Sequence, residues 1–218
     1  MKKAFVPLVG IVAALFVVTP YFIVQAPYES TMGLVQKVMY FHAPSGMVML
    51  ISAVVCGVAS ALYLWKKDPA ADRVAIAAAE LTALFGLIVL VTGPLWARKA
   101  WGVWWVWEAR LTMSFVGWLI AVGYLFVRKY GGPGSDKLAA GLAVLGTANV
   151  PFIYVSVNIW RTMHPMTTVV PTLQPGMRGT FWFSALTIFM LYGLLLAARV
   201  HLERQRTALD QLYLAEED

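Results

Sequence analysis

Six apolar runs, separated by short polar or turn-rich segments, dominate the pattern along the chain: residues 4–24, 46–65, 74–97, 109–128, 137–158 and 179–199. At a helical rise of about 1.5 Å per residue, each is long enough to cross a hydrocarbon layer of about 30 Å. The connections carry turn chemistry, as in Lys66-Lys67-Asp68-Pro69 and Gly131-Gly132-Pro133-Gly134. The pattern predicts an all-α, polytopic membrane protein: one integral membrane domain over 1–218, with six transmembrane helices and a tryptophan-rich outer loop. No internal repeat or low-complexity tract interrupts it. Lys2 and Lys3 precede the first run, and Val24-Gln25-Ala26 faintly resembles a signal-peptidase site. The apolar stretch is too long for a leader and Pro27 follows the would-be cut, so a retained anchor is expected.

Composition agrees: 60% of residues are hydrophobic, only 13% are charged, and the mean hydropathy is +0.71. Soluble domains carry roughly 25% charged residues. An ordinary cytosolic enzyme and a disordered chain are both excluded. The net charge of +6 would suggest nucleic acid in a soluble protein. Here the cations sit between apolar runs, so the expected partner is the lipid bilayer and no nucleic acid. With both termini cytoplasmic, the inner segments hold Lys2, Lys3, Lys66, Lys67, Arg73, Arg128, Lys129, Lys137, Arg199, Arg204 and Arg206. The outer segments hold Lys37, Arg98, Lys99, Arg110, Arg161 and Arg178. This split of the 17 cations, 11 inside and 6 outside, follows the positive-inside rule. Three substantial outer segments result: 25–45, 98–108 and 159–178. The tail beyond Arg199 reads as a solvated helix or frayed end.

Five of the nine tryptophans (Trp96, Trp101, Trp104, Trp105 and Trp107) fall within twelve residues. An aromatic belt would place one or two at each helix end. Five beside one span read better as the wall of a flat apolar site. If that segment is helical, Trp101, Trp104, Trp105 and Glu108 share a face and Trp107 lies behind. Sugars and lipids also stack on indoles, so the wall alone does not identify the ligand.

His42 and His164 fall in outer segments on either side of the tryptophans, and His201 alone lies inside. A single histidine at a helix end is commonly structural. Two beside a tryptophan wall suit a haem iron, whose two axial positions accept neutral imidazole. Zinc is disfavoured, because Cys56 is the sole cysteine and few carboxylates are near enough to complete a tetrahedron. One cysteine also excludes an intramolecular disulfide and a C-x-x-C pair, and no C-x-x-C-H attachment motif is present. Arg110, Arg178 and, at a flank, Lys37 are the outer cations available to haem propionates; a snorkelling interface role is the alternative for each. Glu108 beside Arg110 is placed to orient its guanidinium. Glu80 is expected to pair with Arg73. No Ser-His-Asp or metalloprotease spacing occurs, and no P-loop is present, so ATP hydrolysis by a P-loop is not expected.

The run Trp101-Gly102-Val103-Trp104-Trp105-Val106-Trp107-Glu108-Ala109-Arg110-Leu111-Thr112 resembles the tryptophan-rich signature of the haem-handling proteins of cytochrome c maturation. The six spans, with one histidine-bearing loop on each side of the signature, resemble the haem exporter protein C (CcmC) family within that group. Tyr40-Phe41-His42-Ala43-Pro44, Leu90-Val91-Thr92-Gly93 with Trp96, Asn149-Val150-Pro151 and Gln174-Pro175-Gly176-Met177-Arg178 fit the same order. The likeness covers about residues 30–200.

The resemblance implies a device that receives haem b non-covalently at the outer face of the cytoplasmic membrane and passes it to a haem chaperone, CcmE. It implies His42 and His164 as axial ligands, Trp101, Trp104, Trp105, Trp107 and Arg110 as signature residues, and Trp96 and Lys37 in support. The ATPase pair CcmA and CcmB and the single-span CcmD are implied partners. Glu108 departs from the family's usual aspartate by one methylene, and Pro165 stands where a polar residue is usual. Two rivals remain open on the sequence: a b-type haem protein oxidising quinol, and a plain permease with an aromatic rim.

Overall fold

The computed structural model describes residues 2–29, 32–160, 162–166 and 168–217; Arg161, counted above among the outer cations, lies outside the described residues. Helices account for nearly all of it: α1 (Lys2–Gln25), α2 (Met39–Lys66), α3 (Pro69–Trp101), α4 (Ala109–Tyr130), α5 (Ser135–Ile159), a one-turn α6 (Val169–Thr172) and α7 (Pro175–Glu217). A short 3-10 turn, Leu34–Val38, leads into α2. No strand occurs among the described residues. Six helices are long and apolar enough to cross a membrane, in the order expected.

Several boundaries move outward from the apolar runs. The second helix begins at Met39 rather than near 46, which draws His42 into its first turns. Pro44 does not prevent this, because so close to a helix start its missing N–H frees only the carbonyl of Tyr40. The third helix starts at Pro69, capped by the Asp68 side chain, which accepts the Ala70 N–H at 2.8 Å. Proline at the first helical position and an N-terminal carboxylate are favourable start signals. The tail is not frayed: α7 stays helical for about 27 Å beyond Arg199.

Helix α2 is central and packs on α3, α5 and α7, while α4 bridges α3 and α5. Between them small residues (Ala75, Ala78, Ala79, Ala139 and Ala143) are fully or nearly fully buried, letting the backbones approach closely. Helix α1 lies at the edge against α7, joined to it by a hydrogen bond of 2.8 Å between the Thr19 and Thr187 hydroxyls.

At one end of the bundle the helices are tied by charge. Arg128 clasps Asp72 with two hydrogen bonds of 2.6 and 2.7 Å. Tyr63 donates to Asp136. Glu80 pairs with Arg199, not with Arg73 as expected, and Arg199 also reaches Glu203 at 2.9 Å. A residue two turns away on the same helix was the obvious partner by sequence; the bundle instead brings α7 against α3. The opposite end carries His42, His164 and the clustered tryptophans.

Candidate functional site

The three segments expected to lie together outside converge at that opposite end around one cavity of about 440 Å³. This is within the usual range for small-molecule and cofactor sites. His42 comes from α2, Trp96 and Trp101 from α3, and Trp104 and Trp105 from the connection 102–108. Arg110 lies on the first turn of α4, and His164 on the connection before α6.

The wall depends on where α3 stops. Gly102 caps the helix with φ 77°, a left-handed conformation that glycine adopts without a Cβ penalty, so the chain turns out immediately after Trp101. The Arg98 guanidinium donates to the Gly102 carbonyl and closes the turn. Residues 102–108 are therefore not helical, and the face that a helical segment would give Trp101, Trp104, Trp105 and Glu108 does not form. An extended connection folds Trp104 and Trp105 back over the cavity instead. Trp96 and Trp101 meet edge to face at 5.7 Å between ring centroids. Trp107 is 73% exposed and lies outside the cavity, its ring 5.7 Å from that of Trp105. It backs the wall rather than forming it.

Both histidines line the cavity, each with Nδ1 engaged. His42 Nδ1 faces the Thr92 hydroxyl at 2.9 Å. His164 Nδ1 lies 2.9 Å from the carbonyl of Pro165. A carbonyl only accepts, so His164 donates from Nδ1 and keeps its lone pair on Nε2, the nitrogen left for a metal. Pro165, the departure noted in the sequence, thus supplies the group that sets this tautomer. Burial, together with the nearby Arg110 guanidinium, pushes the His164 pKa down to about 4; the bond to Pro165 opposes this only in part. His164 is neutral, and able to ligate, at neutral pH.

The charged candidates divide. Arg110 lines the cavity and donates to the Ile153 carbonyl at 3.1 Å, leaving further N–H donors. Glu108 does not line it; its carboxylate accepts the Met163 N–H at 2.8 Å, next to His164. Lys37 is buried and points away. Its ammonium donates to the carbonyls of Ile23 (2.7 Å), Val24 (2.6 Å) and Ala26 (3.1 Å) at the end of α1. A cation meeting the unpaired carbonyls of a helix C-terminus is strongly placed, so the expected flanking role at the site is not what the geometry gives. Arg178 likewise donates to the Pro171 carbonyl at 3.3 Å and stays outside the cavity.

The donor set fits haem. Among the described residues no three His, Cys, Asp or Glu side chains come together to hold a bare metal ion. Two imidazoles match the two axial positions of a metal whose other positions are filled by a porphyrin. Three lining side chains carry buried polar atoms with no partner: the indole nitrogens of Trp96 and Trp105 and the amide oxygen of Gln36. Indole N–H groups so placed await acceptors, and haem carries carboxylates. The sequence reading missed Gln36 and a set of methionines: Met32, Met39, Met47, Met49, Met166 and Met177. For Met39 a signal existed, since it sits three residues before His42 on one helix and shares its face.

Fold and site together define a multi-pass helical membrane protein with a cofactor-sized pocket at one rim of the bundle. Its sequence matches the family model of CcmC, heme exporter protein C, over residues 1–216. The chain belongs to that family. It is 32% identical to Heme exporter protein C of Bradyrhizobium diazoefficiens, over 83% of this chain and 69% of the relative. It is 31% identical to Heme exporter protein C of Escherichia coli K12, over 83% of this chain and 73% of the relative. A ccmC-like mitochondrial protein of cytochrome c biosynthesis from Marchantia polymorpha is 33% identical over 66% of this chain. The match spans 61% of that Marchantia protein and 56% of a similarly described one from Arabidopsis thaliana.

Proposed function

We propose that this protein binds haem b non-covalently in transit to c-type cytochromes, with His42 and His164 as axial ligands, and passes it to the chaperone CcmE. One observation carries the reading: two imidazoles, four indoles and a guanidinium, drawn from separate segments of the chain, line a single cavity. Each indole that buries about 100 Å² against the ring contributes roughly 2–3 kcal/mol. Arg110 and the indole N–H groups of Trp96 and Trp105 receive the propionates.

The site faces the outer side of the cytoplasmic membrane, with both termini cytoplasmic, in keeping with the lysine and arginine distribution. CcmA, CcmB and CcmD are the partners that go with such a role. The protein acts by presenting and releasing its cargo, not by turnover.

The absorption spectrum of the purified protein beside that of its His42→Ala, His164→Ala double variant tests the assignment. A six-coordinate, low-spin spectrum is expected in the first and its loss in the second. The same six-coordinate spectrum in both would overturn the ligand assignment. Sustained quinol oxidation by the purified protein would instead favour a b-type redox protein.

A further inference from the structure

We propose that Thr92 and Gly93, adjacent on α3, are positioning residues that fix the tautomer and the orientation of the His42 imidazole. The inference rests on His42 being an iron ligand. Two independent features of the geometry carry it.

The first is the destination of a single proton. The Thr92 hydroxyl lies 2.6 Å from the carbonyl of Ile88, one turn back, and donates to it. A hydroxyl has one proton. Toward His42 Nδ1, at 2.9 Å, the same oxygen therefore acts as an acceptor, and the ring donates from Nδ1. The lone pair is thereby placed on Nε2. The chain Ile88 carbonyl, Thr92 hydroxyl, His42 ring runs in one direction only. His164 reaches the same tautomer through the Pro165 carbonyl. Two unrelated partners thus prepare both rings for the same chemistry, as the outer hydrogen bonds of metal-ligating histidines generally do.

The second is space. A Cβ at Gly93 would lie 3.3 Å from His42 Cε1 and 3.9 Å from Nδ1. Cε1 is the carbon between the two ring nitrogens, so a side chain there presses on the edge that must stay aligned with both Thr92 and the metal. Glycine at 93 and threonine at 92 leave the ring one seat, with room on one side and a hydrogen bond on the other.

The experiment has a readout without haem and one with it. In protein carrying ¹⁵N-labelled histidine and stripped of haem, the His42 ring is expected as the Nδ1–H tautomer. Thr92→Val is expected to release that preference and Thr92→Ser to keep it. In haem-loaded protein, Thr92→Val is expected to weaken haem retention by about tenfold and shift the spectrum toward five-coordinate. Added imidazole restores six-coordination, and Thr92→Ser behaves as the unaltered protein. Gly93→Ala should give the same spectral change with Thr92 intact, an independent route should the valine variant not fold.

The proposal is overturned if Thr92→Val leaves either the tautomer or the spectrum unchanged while His42→Ala loses six-coordination. If His42→Ala itself keeps six-coordination, the failure lies with the site assignment instead.

Discussion

Glu108 and Met163 are joined across two interhelical connections: the Glu108 carboxylate accepts the Met163 N–H at 2.8 Å. The tryptophan segment and the His164 segment are thereby fastened one residue short of the proposed ligand. Glu108 thus holds the loop beside His164 and is not part of the cavity lining. Because the bond is solvent-exposed, its loss in Glu108→Ala is expected to cost about 1 kcal/mol, or roughly a fivefold faster haem loss. Glu108→Gln keeps an acceptor and should stay within about twofold. Haem transfer to an excess of apomyoglobin measures both; an equal loss in the two variants would assign the effect to charge instead.

The depressed pKa of His164 sets a pH window. Folded, the group titrates near 4; in an unfolded chain it titrates near 6.5. The native state therefore binds fewer protons than the unfolded state between these values. Stability from this group is fully present above about pH 6.5 and is lost as the pH falls through 4. The proton competes with iron for Nε2 only at the acid end of this range. Six-coordinate haem is expected to hold from about pH 8 to about 5 and to disappear near pH 4. A spectral midpoint of about 6 or higher would contradict it.

Lys37 is expected to stabilise the fold without touching the cargo. Lys37→Met removes a buried ammonium from three carbonyls. Hydrogen bonds to a charged group contribute about 1.5–3 kcal/mol, so the melting temperature should fall by about 5 °C or more. The spectrum of haem bound by the folded fraction should not change. Arg110→Ala is expected to show the opposite pattern, with weaker haem retention and a smaller thermal shift. Should the two variants exchange these signatures, the assignment of the two cations is wrong.

The five clustered tryptophans are not equivalent. Trp105→Ala removes a wall of the cavity and is expected to weaken haem binding by about 2.5 kcal/mol, near 60-fold. Trp107→Ala, at a ring 73% exposed and outside the cavity, is expected to change retention less than about threefold. Competitive haem titration distinguishes the two.

The six spans were legible because a membrane helix must be apolar along its whole length, and a run of about twenty such residues rarely arises for any other reason. The convergence of the three long connections at one end of the bundle followed from counting spans. Legibility failed wherever the tertiary partner decided. Nothing local distinguishes Arg73 from Arg199 as the mate of Glu80, or shows that Lys37 turns toward α1. The shared face weighed for Trp101, Trp104, Trp105 and Glu108 required a helix after Trp101, but Gly102 ends α3, and the tryptophan set survives for a different reason. Trp104 and Trp105 reach the cavity from a turned-back connection. Thr92 carried no visible signal of its contact with His42, fifty residues away, because such a contact exists only once α2 and α3 are packed.

Among the described residues, six methionines border the cavity. Unbranched thioether chains adjust by bond rotation, with no backbone displacement, so such a lining can follow a rigid disc as it slides. Grip and looseness then come from different materials, indole plates on one hand and pliable sulfur-bearing arms on the other. The same softness carries a liability. Peroxide would convert these arms into polar sulfoxides and disrupt the apolar lining, and the sulfoxide reductases would be needed to restore it.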